Sequence, residues 1–303
     1  MAGKGDSLKT IFYALGANFV IFLSKAVAAV MTGSAAMLAE AVHSLADCGN
    51  QLLLLFGIRR AKRPPSPDYP LGYGKEIYFW SFLVALMLFS VGGVFSLYEG
   101  WHKLQQHEPL TRPWIAIAVL VFGIVAESVS MRACLLEVNK SRGNMNLWRW
   151  FHESRQVELV VIFGEDLAAL LGLALALAAV VATMITGNSL FDALGTIGIG
   201  LLLMAVGVFV AIQVKAMLIG QSVDPVMRRE IAAFLDAQPE LAKIFSLITL
   251  QLGNEIMVAV QAEMADPDAP TSATITRINA IEVALKQRFP EVKWSFFEPD
   301  DSP

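Results

Sequence analysis

Residues 33–56 read Gly33-Ser34-Ala35-Ala36-Met37-Leu38-Ala39-Glu40-Ala41-Val42-His43-Ser44-Leu45-Ala46-Asp47-Cys48-Gly49-Asn50-Gln51-Leu52-Leu53-Leu54-Leu55-Phe56. The stretch is long and apolar enough to cross a bilayer, which takes about 20 residues of helix. It nevertheless carries His43 and Asp47, four residues apart and therefore on one helical face, one turn from each other. Imidazole and carboxylate at that spacing can chelate a divalent cation of the zinc type. An ionisable pair inside a membrane helix costs free energy and usually faces a partner or a water-filled cavity. The alternative is structural, a pair that neutralises itself as glue between helices.

The whole chain fits that setting. Of its 303 residues, 55% are hydrophobic and 17% charged, and the mean hydropathy is +0.56. Six apolar stretches reach spanning length, at about 10–31, 35–57, 77–100, 113–138, 156–185 and 190–219. The polar start, residues 1–9, leads straight into the first of them and shows no small-residue cleavage site, so the first span is expected to stay in the mature protein. The two cysteines, Cys48 and Cys134, both fall in apolar stretches and define neither a disulfide framework nor a zinc-ribbon spacing.

Basic residues set the orientation. Arg59, Arg60, Lys62, Arg63 and Lys75 follow the second stretch, and Lys140, Arg142, Arg149 and Arg155 follow the fourth. The opposite side has Lys103 and Arg112, while the turns 32–34 and 186–189 carry no charge. The positive-inside rule then predicts both termini in the cytoplasm. Trp101, Trp114, Trp148 and Trp150 fall near predicted helix ends, as interfacial aromatics do.

Beyond about Gln221 the pattern changes. Asp224-Pro225 predicts a capped helix start. Residues 245–252 and 255–264 read as strands around Gly253-Asn254, 275–289 as an amphipathic helix, and 292–297 as a last strand. The expectation is a membrane domain over 1–220 and a small α+β domain over 221–303 with helices on one sheet face. The latter has 7 basic against 13 acidic residues, a net of about −6, which argues against nucleic-acid binding.

Further polar residues lie within the apolar stretches. Glu165 and Asp166 are adjacent in the fifth, pointing about 100° apart on a helix, so one can face a site while the other reaches it from the flank. Glu127, midway along the fourth, is open to four roles: ligand, proton carrier, partner of a basic group or structural hydrogen bond. Asn50, one turn beyond Asp47, can hydrogen-bond a ligand or serve as a weak oxygen ligand. Asn18 and Lys25 lie in the first stretch. Lys25 is expected to pair with a carboxylate or to reach for the interface, since its charge would repel a cation. His102, His107 and His152 are isolated from these groups, and no histidine or cysteine lies in 221–303.

Together these features resemble the cation diffusion facilitator family of metal transporters. The run Thr32 to Asp47, with Asn18 and Lys25 upstream, carries most of the resemblance. Leu71-Gly72-Tyr73-Gly74-Lys75-Glu76 is similar to the family's loop after the second span. Ser96-Leu97-Tyr98-Glu99-Gly100 and Glu165-Asp166-Leu167-Ala168 are similar to its zinc-transporter-nine branch. The resemblance implies six transmembrane helices, a metallochaperone-like, ferredoxin-type α+β domain, a homodimer, and exchange of Zn²⁺ or a similar ion for protons. It implies His43, Asp47 and Asp166 as metal ligands. The remaining family ligand, four residues before Asp166, is here Ile162. Glu165 is the expected replacement and Glu127 the second choice. A loop histidine of many members is here Tyr73, with Asp68 retained, and the histidines of a metal site in the C-terminal domain are absent.

The reading is therefore a secondary transporter of a divalent cation, Zn²⁺ foremost, with the ion and protons as substrates. Membrane lipid and a second copy of the chain are the expected partners, no separate cofactor is expected, and the site is a bacterial inner membrane or an organelle membrane. A non-transporting scaffold that keeps the fold is the alternative. An intramembrane metalloenzyme would need an open metal position and a base, and the chain contains no HExxH arrangement and no nucleophile beside a base.

Overall fold

The computed structural model describes residues 4–106, 109–143 and 145–302. Six long helical rods account for the apolar stretches. They are α1 (Lys4–Thr32), α2 (Ala35–Ala61), a third rod, α5 (Pro113–Arg142), α7 (Val157–Thr186) and α8 (Leu190–Ile219). The third rod consists of α3 (Glu76–Met87), a π-helical turn over Leu88–Val94, and α4 (Phe95–Gln106). A short helix absent from the sequence reading, α6 (Leu147–Glu153), follows α5; Asn146 caps it by accepting from Arg149 N.

Among the described residues, four segments are long and apolar enough to cross a membrane on those criteria alone: Glu76–Gln105, Pro113–Arg142, Val157–Thr186 and Leu190–Ile219. Within α1 the apolar segment Asn18–Thr32 is shorter. The 27 residues of α2 are ample, at about 1.5 Å rise each, but Glu40, His43, Asp47 and Asn50 interrupt its apolarity.

The chain divides into two compact units that interleave along the sequence: Met1–Phe56, Trp80–Asn144 and Glu158–Gln213 in one, Gly57–Phe79, Met145–Val157 and Val214–Pro303 in the other. The core of the first mixes small residues, among them Ala28, Ala36, Ala116, Ala168 and Ala176, with larger ones such as Met37, Leu120, Leu173 and Leu203. Small side chains let helices approach closely where no hydrophobic force drives them together.

In the second unit α9 (Pro225–Asp236), β1 (Leu241–Leu252), β2 (Glu255–Met264), α10 (Thr271–Arg288) and β3 (Val292–Pro299) follow in order. The sheet runs β1-β2-β3, with β1 antiparallel and β3 parallel to β2. Alternate residues of β2, Ile256, Val258, Val260 and Ala262, are buried in one core with Ile231 and Leu235 of α9 and Ile281 and Leu285 of α10. One sheet face therefore carries both helices, as the strand and helix patterns predict. Trp101, Trp114 and Trp148 are exposed near helix ends, but Trp150 is 1% exposed. It is core rather than interfacial, because α6 turns Trp150 and Phe151 inward.

Asp224 caps α9 by accepting from Val226 N and Met227 N, both at 3.0 Å. Asp224→Ala is expected to cost about 1 kcal/mol. Hydrogen exchange at those two amides should speed about fivefold, and unchanged exchange would contradict the cap.

Candidate metal centre

Glu40, His43, Asp47 and Asn50 fall within a sector of about 80° on α2 and extend about 15 Å along it. Glu40, His43 and Asn50 are buried, and the Asp47 side chain is 16% exposed. His43 Nδ1 and Asp47 Oδ1 lie 3.7 Å apart, beyond a hydrogen bond. Both His43 ring nitrogens and Asp47 Oδ1 are buried without a hydrogen-bond partner among the described residues. Buried polar atoms are normally satisfied, and each left unpaired costs about 1–3 kcal/mol. An imidazole nitrogen and a carboxylate oxygen side by side, both unspent, are a donor set suited to a borderline divalent cation.

On α7, Glu165 and Asp166 diverge. Glu165 turns to α2, where Asn50 Nδ2 donates to its Oε1 at 2.6 Å. Asp166 turns to α5, where Ser130 Oγ lies 3.3 Å from both carboxylate oxygens. Glu127 sits one turn before Ser130 on α5 and is half-buried. Ile162, where the family resemblance implies a ligand, is 36% exposed. The side chains of His43 and Asp47 are thus together, Glu165 is joined to Asn50, and Asp166 to Ser130. Among the described residues no three His, Cys, Asp or Glu side chains stand close enough to hold one ion.

Lys25 of α1 is fully buried. Its Nζ donates to Glu40 Oε2 at 3.0 Å and to Ser44 Oγ at 2.8 Å. The expected carboxylate partner is therefore Glu40, which the sequence reading did not single out although it lies inside the quoted stretch. Asn18 is half-buried two turns earlier on α1. His102 stacks on Tyr98, and His152 packs on Trp148, each on its own helix. His107 lies outside the described residues.

A second group of polar side chains, also missed, holds the start of α2. Ser34 Oγ donates to Asp192 Oδ1 at 2.6 Å, and Ala35 N donates to Asp192 Oδ2 at 2.8 Å. Lys103 Nζ donates to Gly33 O at 2.8 Å. A carboxylate at the N-terminus of α2 satisfies backbone donors and opposes the positive end of the helix dipole. The signal in the sequence was Asp192 itself, a charge at the start of an apolar stretch beside Ser34 of another.

The cation efflux transmembrane domain family matches residues 11–219. The chain belongs to this family and is an integral membrane protein. It is 33% identical over 255 residues to the mitochondrial proton-coupled zinc antiporter SLC30A9 of Xenopus laevis, covering 84% of this chain and 45% of that protein. The Homo sapiens protein of the same name is 32% identical over 250 residues, 81% of this chain and 44% of it. Metal tolerance protein C4 of Arabidopsis thaliana is 31% identical over 231 residues, 76% of this chain and 50% of it. The chain thus spans about half the length of the curated relatives it matches.

Removing the carboxylate that holds α2 should be felt in stability. Asp192→Ala leaves Ser34 Oγ and Ala35 N buried without their acceptor and is expected to cost about 2 kcal/mol or more. The check is the midpoint of thermal unfolding of the detergent-solubilised protein, and an unchanged midpoint would contradict the role given to Asp192.

Proposed function

We propose that the protein is a secondary transporter that carries a divalent metal cation, Zn²⁺ foremost, across its membrane in exchange for protons. The observation that carries this reading is the buried His43–Asp47 pair, whose imidazole nitrogens and carboxylate Oδ1 are unspent within a cation efflux domain. The printed names of the SLC30A9 relatives, proton-coupled zinc antiporters, support both the cargo and the counter-ion.

In this reading the ion binds between α2 and α7. His43 supplies nitrogen, and Asp47 and Asp166 supply oxygen. Glu165 stands in for the ligand missing at Ile162 by leaving Asn50. Its bond to Asn50 then holds the carboxylate when no cation is present. Glu127 of α5 is the second choice for that place. Alternating access brings α7 and α2 together around the ion and opens them to each side in turn. Protons compete for the same carboxylates and imidazole, which couples the two fluxes. Both termini face the cytoplasm, in a bacterial inner membrane or an organelle membrane, and 1–220 forms the transport domain in lipid. Residues 221–303 form a cytoplasmic domain that joins two copies of the chain.

One observation favours a second reading, a scaffold that keeps the fold without transport. Among the described residues no three ligating side chains converge, and the family resemblance implies a ligand at the position held by Ile162. The same experiment decides between them.

In proteoliposomes with an imposed pH gradient, Asp47→Ala and Asp166→Ala should each abolish Zn²⁺ flux while the protein remains folded. Near-normal flux in either would exclude that residue as a ligand, and no flux in the wild type would favour the scaffold. The replacement ligand is tested separately. Glu165→Gln should weaken metal affinity and flatten the dependence of flux on pH more than Glu127→Gln does. The reverse order would move the missing ligand to α5.

A further inference from the structure

The metal centre leaves Glu40 and Lys25 unused, and they hold an unexplained feature. Glu40 is fully buried, yet only Oε2 is engaged, by Lys25 at 3.0 Å. Its Oε1 is buried without a hydrogen-bond partner among the described residues. If this pair served only to glue α1 to α2, the second oxygen would be expected to find a donor, since an ion pair at depth must satisfy its remaining lone pairs to offset desolvation.

Gly172 of α7 borders Oε1: a Cβ there would lie 2.6 Å from this oxygen and would push it aside. Gly92, in the π-helical turn of the third rod, also lies beside His43: a Cβ there would sit in ordinary van der Waals contact, 3.8 Å from Nδ1. π-helical turns inside longer helices often mark functional sites. Glu40 and His43 are three residues apart on α2, hence neighbours on one face. The unspent oxygen of the first and the unspent nitrogens of the second thus adjoin, both bordered by glycine.

We propose that Glu40 is a second station for the transported divalent cation, one helical turn from His43, and that the Lys25 ammonium is a built-in competitor for it. The proposal rests on the transport reading above. With no ion present, Lys25 neutralises Glu40. A cation that leaves Asp47 towards the start of α2 meets His43 and Glu40 Oε1 next, and its charge drives the ammonium off Oε2. Ser44 Oγ, already 2.8 Å from Nζ, keeps a hydrogen bond to the displaced amine. The ammonium then returns to Glu40 and expels the ion, so the station binds only in passing.

Two variants test this, with Zn²⁺ as the probe. Lys25→Met/Glu40→Leu removes both charges together, which buried pairs usually tolerate; Glu40→Gln keeps the shape and removes the charge. Equilibrium Zn²⁺ binding in detergent and Zn²⁺ flux in proteoliposomes are read on both, beside Asp47→Ala. Each variant is expected to bind one Zn²⁺ as the wild type does while its flux falls about tenfold or more, the loss of one charged step at bilayer depth. Wild-type flux in either variant would overturn the second station and leave the His43–Asp47 site standing. Loss of binding in Glu40→Gln, as in Asp47→Ala, would also overturn it, because Glu40 would then belong to the first site. Binding lost in Asp47→Ala and kept in Glu40→Gln separates the two readings. Should the double variant not fold, the flux of Glu40→Gln decides alone.

Discussion

A charge carried to bilayer depth must find a partner, and in this protein the partners meet on one face of α2. Lys25 comes from α1 to Glu40, and Glu165 comes from α7 to Asn50. At the start of the same helix Asp192 comes from α8 to Ser34 and Ala35. Each contact answers a desolvation cost of several kcal/mol with a charge-assisted hydrogen bond. The helices are thereby fixed in register around a stripe whose middle members, His43 and Asp47, have no such answer. Glu40 Oε1 and Asn50 Oδ1 are likewise buried without a hydrogen-bond partner among the described residues, so unspent polar atoms run along the whole stripe.

The packing follows from that requirement. Long polar side chains between helices need room, and Gly172 leaves it beside Glu40. Substituting Gly172 would force Glu40 aside. The small residues therefore serve the polar stripe as much as the close approach of helices.

Much of the fold was legible because its signals are local. Apolar length defined the rods, and the sixth expected span, 190–219, coincides with α8. The period-2 pattern of 255–264 coincides with β2, and Asp224-Pro225 starts α9. The helical spacing of His43 and Asp47 put them together as read. What was not legible depends on contacts between segments distant in sequence. Lys25 reads as pairing with a carboxylate or reaching for the interface, and nothing local picks Glu40, 15 residues away, over the other acidic residues at similar depth. Glu165 and Asp166 were expected to share one site, yet about 100° of helix rotation sends one to Asn50 of α2 and the other to Ser130 of α5. The π-helical turn and the inward Trp150 likewise arise from packing rather than composition.

On the proposed transport reading, one imidazole of α2 and carboxylate oxygens of α2 and α7 hold the ion. X-ray absorption at the zinc edge of the metal-loaded, full-length protein reads that donor set directly. The account predicts a first shell of oxygen with a single imidazole nitrogen, at about 2.0–2.2 Å, and loss of the imidazole signal in His43→Ala. A shell containing sulfur, or an imidazole signal that survives in His43→Ala, would contradict it.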